Sequence, residues 1–194
     1  MHNVAVLTND LQYDLVRKHG ARERAVYEFL PRMVQFLCNV RSHGVHVFHL
    51  QLVCDPADPS VEWFGEFLPA QKGTPGADIL ADVLDARDIV VPKPRDSGFF
   101  ETDLDDQLRL HGVGTLILTG MQAQICVQTT AADAFFRGYN VIVPPDGVVS
   151  TRQEDVDRAI AWLGSYCATI QPMNDIIDQL NRGESFTRKV IKVA

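Results

Sequence analysis

The chain has 194 residues, of which 46% are hydrophobic and 22% charged, and a formal net charge of −7. That is enough apolar material for one domain with a full core, and the acidic balance argues against nucleic acid, which demands a basic face. No stretch approaches the roughly 20 apolar residues of a membrane span, and Met1–Leu7 lacks the basic flank and long apolar region of a signal peptide, so a cytoplasmic location is expected.

Strand and helix patterns alternate along the chain. Val4–Leu7 is a short apolar strand, and Ala21–Ser42 a helix in which Val26, Leu30, Met33, Leu37 and Val40 recur at steps of three and four until Gly44 ends it. Val45–Leu50 is the second strand. Residues 51–75 hold four prolines and two glycines together with Trp63, Phe64 and Phe67, a long loop of the kind that is usually functional. Asp78–Leu84 reads as a short helix and Asp88–Val91 as the third strand. Thr102-Asp-Leu-Asp105 has the form of a capping box for a helix through Leu110.

Thr115–Thr119 is the fourth strand and Ile125–Arg137 the helix after it; Asn140–Val143 is the fifth strand, Glu154–Leu163 a helix, Ala168–Ile170 a short sixth strand and Asn174–Leu180 a last helix. The order predicts an α/β fold, a three-layer αβα sandwich around a six-stranded, mainly parallel sheet with right-handed crossovers. Residues 1–194 read as one domain, with the tail from Gly183 loosely held.

Cys38, Cys54, Cys126 and Cys167 form no CxxC pair and are expected to be thiols. Cys38, on an apolar helical face, and Cys167, before a strand, read as buried small hydrophobes; Cys54 lies in a polar loop. Cys126 is different. It falls in the first turn of a helix just past a strand, where the positive helix end favours thiolate.

Two other reactive side chains sit in equivalent places: Asp10 after the first strand and Lys93 after the third. In a parallel sheet these ends share one rim, where open α/β sheets bind ligands. Singly, the aspartate reads as a turn residue, the lysine as a solvated charge and the cysteine as structural. Together they put an acid, a cation and a thiol in one pocket, where the acid takes the thiol proton and the ammonium favours the anions that form.

Four motifs carry a resemblance: Asn9-Asp-Leu-Gln12, Lys72-Gly-Thr-Pro-Gly-Ala77, Lys93-Pro-Arg-Asp-Ser-Gly-Phe99, and the block from Gly120 through Cys126-Val127, Thr130-Ala131 and Asp133-Ala134. Through them the chain resembles the isochorismatase-like cysteine hydrolase superfamily over most of its length. The resemblance implies a Rossmann-like fold, an Asp10–Lys93–Cys126 triad, a cis peptide between Met121 and Gln122, and an oxyanion hole from the backbone N–H groups of Gln122 and Cys126. It also implies a homo-oligomer, a dimer or tetramer.

Where nicotinamidases of that superfamily carry an aspartate and two histidines for a metal, this chain reads His49-Leu-Gln-Leu-Val-Cys-Asp55, so no metal and no other cofactor is expected. Ala123 and Gln124 replace the threonine and aspartate of many relatives. True isochorismatases lack the cysteine, so Cys126 favours C–N hydrolysis of a small carboxamide, ureido or carbamoyl substrate through a thioester. Gln12, His49, Gln51, Trp63, Phe64, Phe67, Phe100 and Gln122 are the candidate substrate contacts, and Arg95 is a weaker candidate for a substrate carboxylate. Three alternatives stand: a vinyl ether hydrolase using Asp10 as acid and indifferent to Cys126, a non-catalytic binding protein of the same fold, and a redox-sensing cysteine.

Overall fold

The computed structural model describes residues 3–59 and 68–188. Among the described residues thirteen helices and strands follow in chain order: β1 (Val4–Asn9), α1 (Tyr13–Arg17), α2 (Gly20–Ser42), β2 (His46–Leu52), β3 (Ile89–Lys93), α3 (Leu104–Leu110), β4 (Thr115–Met121), α4 (Gln128–Phe136), β5 (Asn140–Val143), β6 (Val148–Val149), α5 (Gln153–Tyr166), β7 (Thr169–Ile170) and α6 (Met173–Asn181). The sheet runs β3-β2-β1-β4-β5-β7, and β6 lies beside β4 past the end of β5. Every ladder between these strands is parallel.

Both faces of the sheet are covered. All residues of β1 and β4 are buried, the signature of central strands in a parallel sheet. On one face Val26, Phe29, Leu30, Met33, Phe36, Leu37 and Val40 make the apolar stripe of α2 and pack with Ile176 and Leu180 of α6. On the other, Leu104 and Leu108 of α3, Ala131 and Ala134 of α4 and Leu163 of α5 meet the opposite side chains of the strands. Each fully buried Leu or Phe contributes about 1.5–3 kcal/mol through area removed from water.

Several local expectations are corrected. Asp78–Leu84 is not a helix: short 3-10 turns at Pro75–Ala77 and Ala81–Val83 flank an extended stretch. Leu80 N–H donates to Leu11 O and Ile79 bridges Gln12, so this segment is drawn to the end of β1. The capping box does not form. Thr102 donates to Gly98 O and the Asp105 carboxylate takes Tyr139 and Arg109 instead, so α3 starts at Leu104. The helix after β4 opens with a π-type turn, Ala123–Val127, before α4. Two elements, α1 and β6, were not expected.

Cys38 is exposed, since it lies one step off the buried stripe of α2, whereas Cys54 is buried. Past Gly183 the backbone is tied down as far as Phe186: Phe186 O accepts from Asn140 Nδ2, Ser185 O from Gln179 Nε2, and Phe186 packs on the α2–α6 side of the core. No helix among the described residues is long and apolar enough to cross a membrane.

Candidate active site

The site forms where β1, β3 and β4 end on one rim, beside the switch in strand order at β1. Asp10, the first residue past β1, has φ 55°, a left-handed conformation that aspartate tolerates better than most residues. Its N–H donates to Leu50 O, and Gln12 N–H donates to its carbonyl. Lys93, the last residue of β3, is 1% exposed. Its Nζ lies 3.0 Å from each carboxylate oxygen of Asp10 and also donates to the carbonyls of Arg95 and Asp96. Leu52 N–H donates to Asp10 Oδ1.

Cys126 enters on the π-type turn that begins past the cis peptide Met121–Gln122. Ser150 Oγ accepts from Ala123 N–H and donates to Gln124 Oε1, which secures the turn. Gly120 has φ 95°, and any Cβ there would collide with the Asn9 backbone, so β1 and β4 approach beside the site only because this residue is glycine. Cys126 is 7% exposed and faces a cleft of about 150 Å³ that also touches Asp10 and Asp96. Its Sγ donates to Asp96 Oδ1 at 3.5 Å, and the Asp10 carboxylate lines the same cleft.

The electrostatics correct the expectation of a depressed thiol pKa. Burial, then the Asp10 carboxylate, push Cys126 well above an ordinary thiol, with Lys93 opposing and Asp96 adding to the rise. A helix end supplies about 0.3–1 kcal/mol, less than the cost of burying a charge beside carboxylates. Burial also raises Asp10, against the pull of Lys93. Burial disfavours the Lys93 ammonium, but the Asp10 and Cys126 charges outweigh it and the net direction is upward. The arrangement is a neutral thiol next to a carboxylate–ammonium pair whose carboxylate has gained proton affinity.

A polar frame holds the loop after β3. Thr130 Oγ1 accepts from Gly98 N–H and lies 3.3 Å from Asn9 Oδ1. Ser97 Oγ donates to Asp133 Oδ2, and Asn9 Nδ2 donates to Thr119 O. The Ser-Gly pair, Thr130 and Asp133 of the sequence motifs therefore link β1, the β3 loop and α4.

Other candidate contacts lie elsewhere. Gln12 is fully buried: its Nε2 donates to Leu52 O and Ala77 O while its Oε1 accepts from Leu52 N–H, so it clamps the backbone and does not line the cleft. His49 is sealed between Thr8 and Asp88 at 2.6 and 2.9 Å, on β2 and away from the cleft. Gln51 donates to Ala77 O and lines a separate surface cleft with Lys72 and Pro92. Phe100 is 46% exposed and outside the cleft. Arg95 pairs with Asp58 at 2.7 Å. Trp63, Phe64 and Phe67 lie outside the described residues. Gln122 does line the cleft.

Lys18, Arg22 and Asp96 line it too and were not anticipated. Arg22 donates to Leu15 O and Thr151 Oγ1, and with the Gln122 amide oxygen turned toward it the guanidinium donates there as well. Burial lowers its pKa, with Cys126 opposing. The sequence reading placed Arg22 at the start of the Ala21–Ser42 helix and gave Lys18 no element, so neither carried a signal toward the thiol.

Residues 4–175 match the model of the isochorismatase domain. A ureidoacrylate amidohydrolase RutB of Methylobacterium radiotolerans is 46% identical over 176 residues, covering 77% of this chain and 68% of that protein. The RutB of Serratia proteamaculans is 51% identical over 96 residues, 44% of this chain and 39% of that protein. Among solved structures, an isochorismatase family protein from Desulfovibrio vulgaris superposes with TM-score 0.83 at 29% identity, covering 94% of this chain and 100% of the other. The N-carbamoylsarcosine amidase of Thermoplasma acidophilum gives 0.76 at 28% identity, with 90% and 98% covered.

Proposed function

This chain belongs to the isochorismatase family, and we propose that within it the protein is a cysteine hydrolase that cleaves a C–N bond of a small carboxamide, ureido or carbamoyl substrate through a thioester. Its named relatives are amidohydrolases. The observation that carries the reading is that the Cys126 thiol and the Asp10 carboxylate line one cleft, with the buried Lys93 ammonium 3.0 Å from Asp10.

The Asp10 carboxylate takes the thiol proton as sulfur attacks the substrate carbonyl and the S–C bond forms. A carboxylate whose pKa is raised by burial is a stronger base at neutral pH than an ordinary one. The backbone N–H groups of Gln122 and Cys126 hold the oxyanion. The C–N bond then breaks and Asp10 returns the proton to the leaving amine. In the second half Asp10 takes a proton from water, hydroxide adds to the thioester carbon, and the C–S bond breaks as the proton returns to sulfur. Lys93 stays an ammonium throughout, fixing Asp10 and offsetting the charge that develops. Self-association belongs to the same reading and is supported by the exposed aromatic strip of Phe136, Trp162 and Tyr166.

The test is an ammonia-release screen over carboxamides, hydrazides and ureido compounds, with Cys126→Ala as the blank. Turnover by the wild type alone supports the reading. Equal turnover by both proteins points to a route to C–N cleavage that bypasses sulfur, and overturns it.

A further inference from the structure

Arg22 is a half-buried cation beside the nucleophile whose partners among the described residues are neutral. It donates to the Leu15 carbonyl and the Thr151 hydroxyl, reaches the Gln122 amide oxygen when that amide is turned toward it, and forms no ion pair among the described residues. A guanidinium carries five donors in a fixed fork, and a partly desolvated charge without a counter-ion is costly unless something completes it. Lys18, which caps the end of α1 just before α2 begins, lines the same cleft and also forms no ion pair among the described residues.

The local charge balance has a sign. Asp10 is matched by Lys93 at 3.0 Å. Among the described residues that line the cleft, that leaves two cations, Lys18 and Arg22, against one carboxylate, Asp96. A ligand with one negative charge neutralises the surplus, and the anchors at Leu15 O and Thr151 Oγ1 hold the Arg22 fork in place before the ligand arrives, which lowers the ordering cost of binding.

We propose that Arg22 and Lys18 form an anion-recognising subsite beside Cys126, selecting substrates that carry a carboxylate on the arm away from the scissile carbonyl. The inference rests on the reading of Cys126 as nucleophile, and it names which members of the amide and ureido class the site prefers.

Two alkylating reagents of nearly the same shape test it without knowledge of the substrate. Iodoacetate is anionic and iodoacetamide neutral. The ratio of their rates at Cys126, followed by the mass of the Cys126 peptide so that exposed Cys38 is counted apart, cancels the thiolate fraction. Normalised to the same ratio for glutathione, the wild type is expected to favour iodoacetate by about ten-fold, the scale of one charge-assisted hydrogen bond. Arg22→Gln and Lys18→Gln should each lower the ratio, Arg22→Lys should retain part of it, and added salt should shrink it. Lys18 is exposed, so its variant keeps the test valid should Arg22→Gln fail to fold.

A wild-type ratio at or below that of glutathione, or one that neither glutamine variant changes, overturns the subsite. A Cys126 inert to both reagents overturns the nucleophile reading and the subsite with it. An anion preference in a protein that releases ammonia from no amide keeps the subsite and removes C–N hydrolysis.

Discussion

Lys93 Nζ stands 3.0 Å from both carboxylate oxygens of Asp10, and the two side chains are 0% and 2% exposed. Lys93→Met leaves a buried carboxylate without its counter-charge and should cost about 3–5 kcal/mol in urea unfolding. The Asp10→Asn, Lys93→Met double variant should cost less than the sum of the singles. In Lys93→Met the folded-state pKa of Asp10 lies above its unfolded value, so the folded state binds the extra proton. That variant should therefore lose stability as pH rises through the window between the two values.

The raised thiol pKa of Cys126 predicts that its alkylation by iodoacetamide keeps accelerating above the ordinary thiol value of 9.0. Asp96 contributes to the rise through its charge, behind burial and Asp10. Asp96→Asn should move the midpoint of the alkylation profile to lower pH, because one carboxylate that disfavours thiolate is gone. An unchanged or higher midpoint would mean that the 3.5 Å contact has no electrostatic effect.

Asp88 lies at 2% side-chain exposure between Arg41 and His49. Burial works to raise its pKa, but hydrogen bonds and charge from His49 and Arg41 outweigh it and hold the carboxyl below 3.8. The unfolded chain then takes up the proton first as pH falls. This part of the stability is complete above the unfolded value and is lost on acidification through the folded one. Asp88→Asn should lower Tm at neutral pH and flatten the acid limb of the stability curve.

Thr130→Val keeps the shape of a buried side chain and removes its hydroxyl. Gly98 N–H loses its acceptor, and Asn9 Oδ1 a partner, at a cost of about 1–3 kcal/mol for the unsatisfied groups. Because these bonds seat the loop that carries Asp96, ammonia release should fall with it. Full wild-type activity in a variant with lowered Tm would separate the frame from the chemistry.

The sheet and the meeting of Asp10, Lys93 and Cys126 were legible because both follow from local signals. Apolar runs mark the strands, and a reactive residue just past each run must reach the same rim. The roles of Gln12 and His49 were not legible, since their partners come from Leu52, Ala77, Thr8 and Asp88, remote in sequence. A polar side chain looks ligand-ready until its bonds are counted. Arg22 and Lys18 were missed for the opposite reason. Nothing in their local sequence ties them to the strand ends, and only the fold turns them over the thiol. The thiol pKa was misjudged because position on a helix is visible in a sequence and depth of burial is not.

Asp10, Lys93 and Cys126 hang from three strands, and the pairings Asn9↔Gly120 and Leu52↔Lys93 set how far each projects. The sheet is thus a ruler with divisions of about 3.3 Å. One residue deleted inside β4 would shift the segment leading to the sulfur by a full division and turn alternate side chains to the opposite face. Extra length in the turn between α2 and β2 would leave the ruler untouched. Tolerance to insertion should follow this scale, abrupt within the strands and gentle at the far rim, whatever molecule the cleft accepts.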